Sequence, residues 1–223
     1  MLQEYKSHVE ERASLGIPPL PLNAEQVASV VELLKNPPEG EASLLLDLIT
    51  NRTPAGVDPA AYIKAAFLTD LAKGEATSPL INKEDATRLL GTMLGGYNVE
   101  SLIDLLKDQE VGEIAADGLS KTLLMFNSKH DVIELAKENK NAQRVVDSWT
   151  NAEWFTSKPE LPKVIKAIVF RVDGEINTDD LSPAPDAPSR PDIPLHALAM
   201  LKKTFKDPIK TIDKLEESGL PVV

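Results

Sequence analysis

The residues with the most specific chemistry lie in one proline-rich stretch, residues 177–194, with the sequence NTDDLSPAPDAPSRPDIP. Arg190 stands among prolines, which fix φ and lower the conformational entropy of the unbound chain. A guanidinium held in this way can bind a carboxylate through two parallel hydrogen bonds at a low ordering cost. Asp179 and Asp180 lie about eleven residues earlier. Paired acids followed by an arginine could orient an anionic ligand or tune a catalytic partner.

The same spacing also fits a structural role for this stretch. Asp179 and Asp180 would then form a turn or cap a helix, and Arg190 would make a surface ion pair. Thr178 and Ser182 flank the two acids and would support either arrangement. Taken alone, the spacing favours the structural role, so both alternatives stay open. The prolines predict that the stretch is stiff and extended.

The composition excludes several other kinds of chemistry. The chain of 223 residues has no cysteine, which removes disulfides, thiolate nucleophiles and any iron–sulfur cluster ligated by this chain itself. Its three histidines lie far apart in sequence, so no metal site is expected. The net charge of -11 disfavours binding to nucleic-acid phosphates over a broad surface. No signal peptide or membrane span is recognisable, so we expect a soluble, cytoplasmic protein without membrane contacts.

Residues 1–157 show a helical pattern of apolar residues. The clearest case follows the capping residue Asn23, where four residues fall at i, i+3, i+4 and i+7: Val27, Val30, Val31 and Leu34. A succession of helices with short connections is predicted, a pattern typical of paired helices stacked in a solenoid. They lie near residues 2–15, 24–36, 41–50, 59–73, 82–93, 99–107, 111–126, 131–138 and 142–155. The larger side chains in them are predicted to be core or helix-packing residues, namely Met93, Met125, Phe126, Trp149 and Trp154.

Residues 158–223 differ from the helical part in composition and charge. Residues 158–162 are typical of a linker, and the β-branched run at 164–172 predicts a strand. Two helices are predicted after the proline-rich stretch, at residues 195–205 and 210–218. The net charge is -10 over residues 1–157 and -1 over the remainder, so the helical part carries almost all of the acidic excess.

Four segments of the sequence closely resemble the N-terminal part of bacterial aconitase B. They are MLQEYKSHVEERASLGIPPLPL at the start, VVELLKNPPEGE, LLGTMLGGYNVESLIDLL, and GEINTDDLSPAPDAPSRPDIPLHALAML. The likeness covers nearly the whole chain, and the Thr-Asp-Asp-Leu-Ser-Pro-Ala block is its most specific part.

The resemblance implies a mainly-α fold with two domains. Residues 1–157 would form a HEAT-like helical solenoid, and residues 158–223 would form an incomplete, truncated β/β/α swivel domain with an unpaired sheet edge. In the family the helical domain makes protein contacts, including iron-dependent homodimerisation. Aconitases as a family also bind RNA, but the acidic charge of this segment argues against RNA binding by this segment alone.

The resemblance also implies an activity. Aconitase B converts citrate to isocitrate through cis-aconitate, dehydrates 2-methylisocitrate and uses a [4Fe-4S] cluster. Matched by motif, Asp179 is similar to the catalytic aspartate of the swivel loop, and Arg190 is similar to the arginine that binds a substrate carboxylate. Thr178, Asp180 and Ser182 would support that loop.

The sequence departs from the family pattern at its end. Full-length members continue into a Gly-Ser-Ser-Arg motif and into the domains that carry the cluster cysteines. We therefore expect an N-terminal portion of the lyase, which by itself binds no cluster and is inactive. The alternative is a free-standing protein-interaction or dimerisation module. The sequence does not rank the substrates or name a docking surface.

Overall fold

The computed structural model describes residues 1–123 and 125–223. These residues form two compact units. The first unit comprises Met1 and residues 21–159, and the second comprises residues 2–20 and 160–223. The segment 2–20, which the sequence analysis assigns to the helical part, therefore clusters with the second unit.

The first unit consists of helices joined by short connections, and the mainly-α prediction is confirmed. We number the helices from the N-terminal helix α1, Leu2–Ser14, which belongs to the second unit. Those of the first unit are α2 Ala24–Lys35, α3 Ala42–Asn51, α4 Pro59–Lys73, α5 Lys83–Gly91, α6 Val99–Leu105, α7 Gly112–Ser120, α8 Ser128–Leu135, α9 Lys140–Thr150 and α10 Glu153–Thr156.

Side-chain caps set the starts of several helices. The Asn23 side chain accepts a hydrogen bond from Gln26 N, and the Gln26 side chain accepts one from Asn23 N. Asp58 caps α4, whose first residue is Pro59, a residue suited to that position because its missing N–H would have no helical partner. The Asn82 side chain caps α5 by accepting a hydrogen bond from Asp85 N. These starts agree with the predicted ones because capping is a local signal.

Contacts between helices that are close in sequence build the core of the first unit. Helices α2, α4, α5, α7 and α9 contact one another in series, and α3, α6 and α8 lie against members of that series. Helices α2 to α9 each contribute apolar side chains that are fully buried. The largest are Leu22, Leu34, Leu45, Leu48, Ile49, Leu68, Leu90, Leu102, Leu106 and Leu119. Burial of this apolar stripe along each helix stabilises the unit.

Two of the predicted core residues are not in the core. Phe126 is 80% exposed and Trp154 is 43% exposed, whereas Met125 is buried. The predicted helix at 111–126 ends at Ser120, so Phe126 lies in a turn with positive φ rather than on a helix face. Position 124 of that prediction lies outside the described residues. Trp149 is half-buried and donates from Nε1 to Leu119 O at 3.2 Å.

The second unit contains short helices instead of the predicted strand and extended stretch. Its helices are α1, α11 Thr178–Leu181, a 3-10 helix Ala184–Ser189, α12 Ile193–Ala197 and α13 Pro208–Glu216. The extended conformation predicted for residues 177–194 is wrong, because the φ of proline also fits the first turn of a helix, and prolines occupy that turn in the 3-10 helix and α12.

The strand predicted at residues 164–172 is reduced to one parallel bridge between Ile168 and Val222. Ile168 N donates to Pro221 O at 2.9 Å, and Val223 N donates to Ile168 O at 2.9 Å. Strand propensity is realised only where a partner strand pairs with it. Only residues 221–223 pair with this run in the described chain, so the strand is wrong as predicted.

Candidate functional site

The proline-rich stretch and the first residues after it form a compact hydrogen-bonded element, residues 177–196, which we call the arginine loop. It begins with a capping box at α11. The Asn177 side chain accepts from Asp179 N at 2.8 Å, and the Asp180 carboxylate accepts from Asn177 N at 3.1 Å. Asp180 N also donates to Asn177 Oδ1, at 3.2 Å. Asp180 therefore has the structural role that the sequence allowed for it.

Arg190 is exposed and is held along one edge of its guanidinium. Its Nε donates to Ser182 Oγ at 3.2 Å, and its Nη2 donates to Ser182 O at 3.2 Å. These two bonds use the Nε/Nη2 edge. The end of the group, with Nη1 and the second Nη2 hydrogen, makes no bond to the described residues. That end has the geometry for two parallel hydrogen bonds to a carboxylate.

Behind Arg190, His196 lies between two serines. Its Nε2 is 2.8 Å from Ser182 Oγ, and its Nδ1 is 2.8 Å from Ser189 Oγ. The Ser189 hydroxyl donates to Asp186 O at 2.7 Å, so its oxygen is available to accept from Nδ1–H. The chain of bonds runs from Asp186 through Ser189, His196 and Ser182 to Arg190.

A buried ion pair fixes the far end of the arginine loop. Arg12, on α1, donates to the two carboxylate oxygens of Asp192 at 2.6 and 2.9 Å. The side chains of Arg12 and Asp192 are only 8% and 16% exposed. Arg12 Nε also donates to Pro18 O at 2.8 Å, and Asp192 caps α12 by accepting from Leu195 N. The hydrogen bond with Arg12 lowers the pKa of Asp192 below its ordinary value, and the same bond raises the pKa of Arg12.

The predicted site residues lie in one element, but the structure joins only some of them. Ser182 contacts Arg190 through both its side chain and its carbonyl, and Ser182 N donates to Thr178 O at 2.8 Å. Asp179 is exposed, and within residues 1–123 and 125–223 its carboxylate makes no hydrogen bond or ion pair, with Arg190 or any other group. The ion pair allowed for Arg190 is likewise not found within those residues.

Of the residues that hold the arginine loop in place, Ser182 was predicted from the sequence, whereas His196, Arg12 and Asp192 were not. His196 and Ser182 are separated by 14 positions, and Arg12 and Asp192 by 180. No short motif links residues so far apart, so these pairs leave no local signal. Only the scarcity of arginine, six in the chain, could have drawn attention to Arg12.

Comparison with known families covers both units. Residues 4–155 match the family model described as the aconitate B N-terminal domain. Residues 167–223 match the one described as the aconitate hydratase 2 N-terminus. The chain belongs to the aconitase B family.

Curated relatives agree with this membership of the aconitase B family. The chain is 58% identical to aconitate hydratase B of Pseudomonas aeruginosa and 57% identical to that of Escherichia coli, with all of the chain aligned in both. It is 48% identical to aconitate hydratase B of Helicobacter pylori over 99% of the chain. It spans about a quarter of the length of these relatives, 27%, 27% and 26% respectively.

An iron–sulfur cluster, which the aconitase B resemblance implies for the complete enzyme, does not fit the residues of this chain. The chain has no cysteine to supply a thiolate. In the part of the chain that the structure describes, no group of three or more histidine, aspartate or glutamate side chains could hold a metal ion. The same part contains no helix with the length and apolar character that a membrane crossing requires.

Proposed function

We propose that this chain is the N-terminal part of a cytoplasmic aconitate hydratase B and that Arg190 binds a carboxylate of the substrate. The complete enzyme would interconvert citrate and isocitrate through cis-aconitate and would dehydrate 2-methylisocitrate. Membership of the family supports this proposal. So do the aconitate hydratase B relatives, which align with the whole chain or nearly all of it.

The single observation that supports this role of Arg190 is that only one edge of its guanidinium is hydrogen-bonded. Ser182 takes the Nε/Nη2 edge, and the opposite end is exposed. An arginine without any anchor would lose side-chain entropy on binding, whereas this one is already held by two bonds. A tricarboxylate offers three planar carboxylates, each of which matches the free end of the group.

Asp179 is proposed as the catalytic aspartate of the same element. Its backbone N–H is held by Asn177, which fixes the start of α11, while its carboxylate is exposed. A fixed backbone with an unengaged carboxylate suits a group that holds polar atoms of an active site in position. Thr178, Asp180 and Ser182 would support it by closing α11 and by bonding Arg190.

We assign no dehydration step to this chain. A [4Fe-4S] cluster in the complete enzyme would need cysteine ligands, and this chain has none. What its own residues supply is substrate binding and positioning. The chain alone is therefore expected to lack hydratase activity.

Replacing Arg190 by lysine in the complete enzyme tests the proposal. Lysine keeps the charge but cannot form two parallel bonds with one carboxylate, so the KM for citrate should rise roughly tenfold, equivalent to about 1.4 kcal/mol. Steady-state kinetics measure this. Arg171→Lys is the matched control and should leave KM unchanged, because exposed Arg171 pairs with Asp173 and with no other carboxylate in the described part of the chain. An unchanged KM in Arg190→Lys would remove Arg190 from the substrate site.

The first unit has a feature that favours homodimerisation as a second function. An open groove of about 740 Å³ is lined by residues that include Leu94, Leu123 and Phe126. These three side chains are 69%, 46% and 80% exposed. Exposed apolar clusters of this kind mark surfaces that contact other proteins. The net charge of -10 over residues 1–157 argues against RNA as the partner.

Analytical ultracentrifugation of the 223-residue chain, with and without ferrous iron, tests the second function. The chain should sediment as a dimer in at least one condition, and Phe126→Ser should sediment as a monomer because it removes the most exposed ring of the groove. Phe155→Ser is the control, since Phe155 is 65% exposed but does not line the groove. A monomer throughout, or equal behaviour of both variants, would exclude dimerisation through this groove.

A further inference from the structure

We propose that His196 is a positioning residue for carboxylate binding, because it fixes the direction of the Ser182 hydroxyl and thereby the orientation of Arg190. This inference rests on the proposed role of Arg190 in the substrate site. The His196 ring bonds to Ser182 and Ser189 and makes no hydrogen bond to Arg190, and on this proposal it does not bind the substrate. It acts through one hydroxyl group.

The hydroxyl of Ser182 has one hydrogen and lies within hydrogen-bond distance of two groups, Arg190 Nε and His196 Nε2. Arg190 Nε, 3.2 Å away, can only donate, so Ser182 Oγ accepts from it. The hydrogen of Ser182 is then free to point at His196 Nε2, 2.8 Å away. If it pointed at Arg190 instead, two donors would face each other. A proton acceptor at Nε2 therefore holds the hydroxyl in the orientation that accepts from Arg190.

The bonds on the other side of the ring support Nε2 as the acceptor. Ser189 Oγ donates to Asp186 O, so we assign His196 Nδ1 as the donor to Ser189 Oγ and as the ring nitrogen that carries the proton. A neutral imidazole with its proton on Nδ1 has a lone pair on Nε2. One arrangement of hydrogens thus satisfies Ser182, Ser189, His196 and Arg190 together. This tautomer is assigned because it also keeps the bond from Ser189 to Asp186.

The position of His196 is itself fixed. His196 lies on α12 and is half-buried. Its backbone N donates to Asp192 O at 2.8 Å, and the side chain of Asp192 caps the same helix and pairs with Arg12. The ring therefore offers Nε2 from a supported helix. This is what a positioning residue requires, since its partner is exposed and otherwise free to change rotamer.

Two substitutions distinguish the bond that His196 accepts from Ser182 from its packing and its bond to Ser189. His196→Gln can place its side-chain oxygen near the position of Nε2 and accept from Ser182. His196→Asn is shorter and matches the position of Nδ1, so it can reach Ser189 but not Ser182. In the complete enzyme, His196→Asn should raise the KM for citrate roughly three- to tenfold with little change in kcat, and His196→Gln should stay within roughly twofold of the parent.

A double-mutant cycle with Ser182→Ala tests the route of the effect. Without the Ser182 hydroxyl, His196 has no means of reaching Arg190, so His196→Asn should add nothing to the KM of Ser182→Ala. Circular dichroism checks that each variant is folded. Additive effects in the cycle, or equal KM values for the Asn and Gln variants, would overturn the inference.

Arg190→Lys, measured beside these variants, distinguishes failure of the inference from failure of the proposed function. A raised KM in Arg190→Lys with unchanged KM in His196→Asn overturns the role of His196 alone. An unchanged KM in Arg190→Lys overturns the proposed substrate site, and the role of His196 with it.

Discussion

Replacing Lys64 by methionine is expected to raise the free energy of unfolding of the first unit by about 1 to 3 kcal/mol at pH 7. Lys64 is 6% exposed, and its Nζ donates to Thr50 O at 3.2 Å, with no ion pair to a described carboxylate. Burial without a carboxylate lowers the pKa of Lys64 to about 8. A fall of that size from 10.5 costs about 3 kcal/mol, part of which the lost hydrogen bond offsets.

The lowered pKa of Lys64 also determines how the free energy of unfolding changes with pH. Between pH 8 and pH 10.5 the unfolded chain holds a proton on Lys64 that the folded chain has lost. Stability therefore rises with pH across this window and is lowest, as far as Lys64 is concerned, below pH 8. The methionine variant lacks this rise, so its advantage over the parent should shrink between pH 7 and pH 10.

Urea unfolding followed by tryptophan fluorescence measures the effect, because both tryptophans of the chain, Trp149 and Trp154, lie in the first unit. Lys73→Met is the control with the opposite sign, since a hydrogen bond from Lys73 to Asp104 raises the pKa of Lys73. The stabilisation that Lys73 gains from Asp104 is present below pH 10.5 and is lost as the pH rises above that value. Identical pH dependence in the parent and the Lys64→Met variant would contradict the account of Lys64.

Replacing Arg12 by methionine is expected to loosen the second unit around α12. The substitution leaves the Asp192 carboxylate, 16% exposed, without its paired charge. Asp192 also caps α12 at Leu195 N, so the loss of order should extend to that helix. We expect backbone amides of residues 190–198 to exchange their hydrogens faster by roughly tenfold or more at pH 7.

Hydrogen exchange followed by mass spectrometry measures this change in peptides that cover the arginine loop. Arg88→Met is the matched control, because Arg88 pairs with Glu84 and Asp85 on the exposed face of α5, where ion pairs contribute little. Equal exchange of the parent and Arg12→Met in these peptides would show that the pair does not hold α12.

The Arg12–Asp192 pair should also make the second unit sensitive to acid. The pKa of Asp192 is lowered from 3.8, so the pair stabilises fully above that pH and is lost as the pH falls through the lower value in the folded chain. The Arg12→Met variant should lose less stability than the parent on acidification. Urea unfolding at pH 7 and pH 3, followed by far-ultraviolet circular dichroism, compares the two chains.

The parts of the fold that sequence analysis predicted are those with local causes. Asn23, Asp58 and Asn82 start helices because each side chain bonds to a backbone N–H two or three residues later. The four apolar residues predicted for the inner face of α2 are all buried. Nothing outside the helix is needed to recognise these patterns.

The errors concern elements whose outcome depends on distant partners. A β-branched run such as residues 164–172 becomes a strand only where another strand pairs with it. Proline fixes φ but not ψ, so the stretch that contains Arg190 could be extended or helical, and the structure shows short helices. A core position for Phe126 requires a helix that continues beyond Ser120, and α7 ends at that residue.

Residue type and resemblance predict Arg190, Asp179 and the supporting residue Ser182, but not the second support, His196. Arg190 and Asp179 stand out as a charged pair among prolines. The bonds that orient Arg190 come from Ser182 and His196, whose side chains meet only after α11 and α12 have formed. Hydrogen bonds between residues that are distant in sequence can be identified only from the folded structure.

The measurement that tests the central claim most directly is a crystal structure of the complete enzyme with citrate or isocitrate bound. We predict one carboxylate of the ligand end-on to Arg190, with its oxygens about 2.7 to 2.9 Å from Nη1 and Nη2, while Nε stays on Ser182. An Arg190 guanidinium that contacts no carboxylate of the bound ligand would contradict the account.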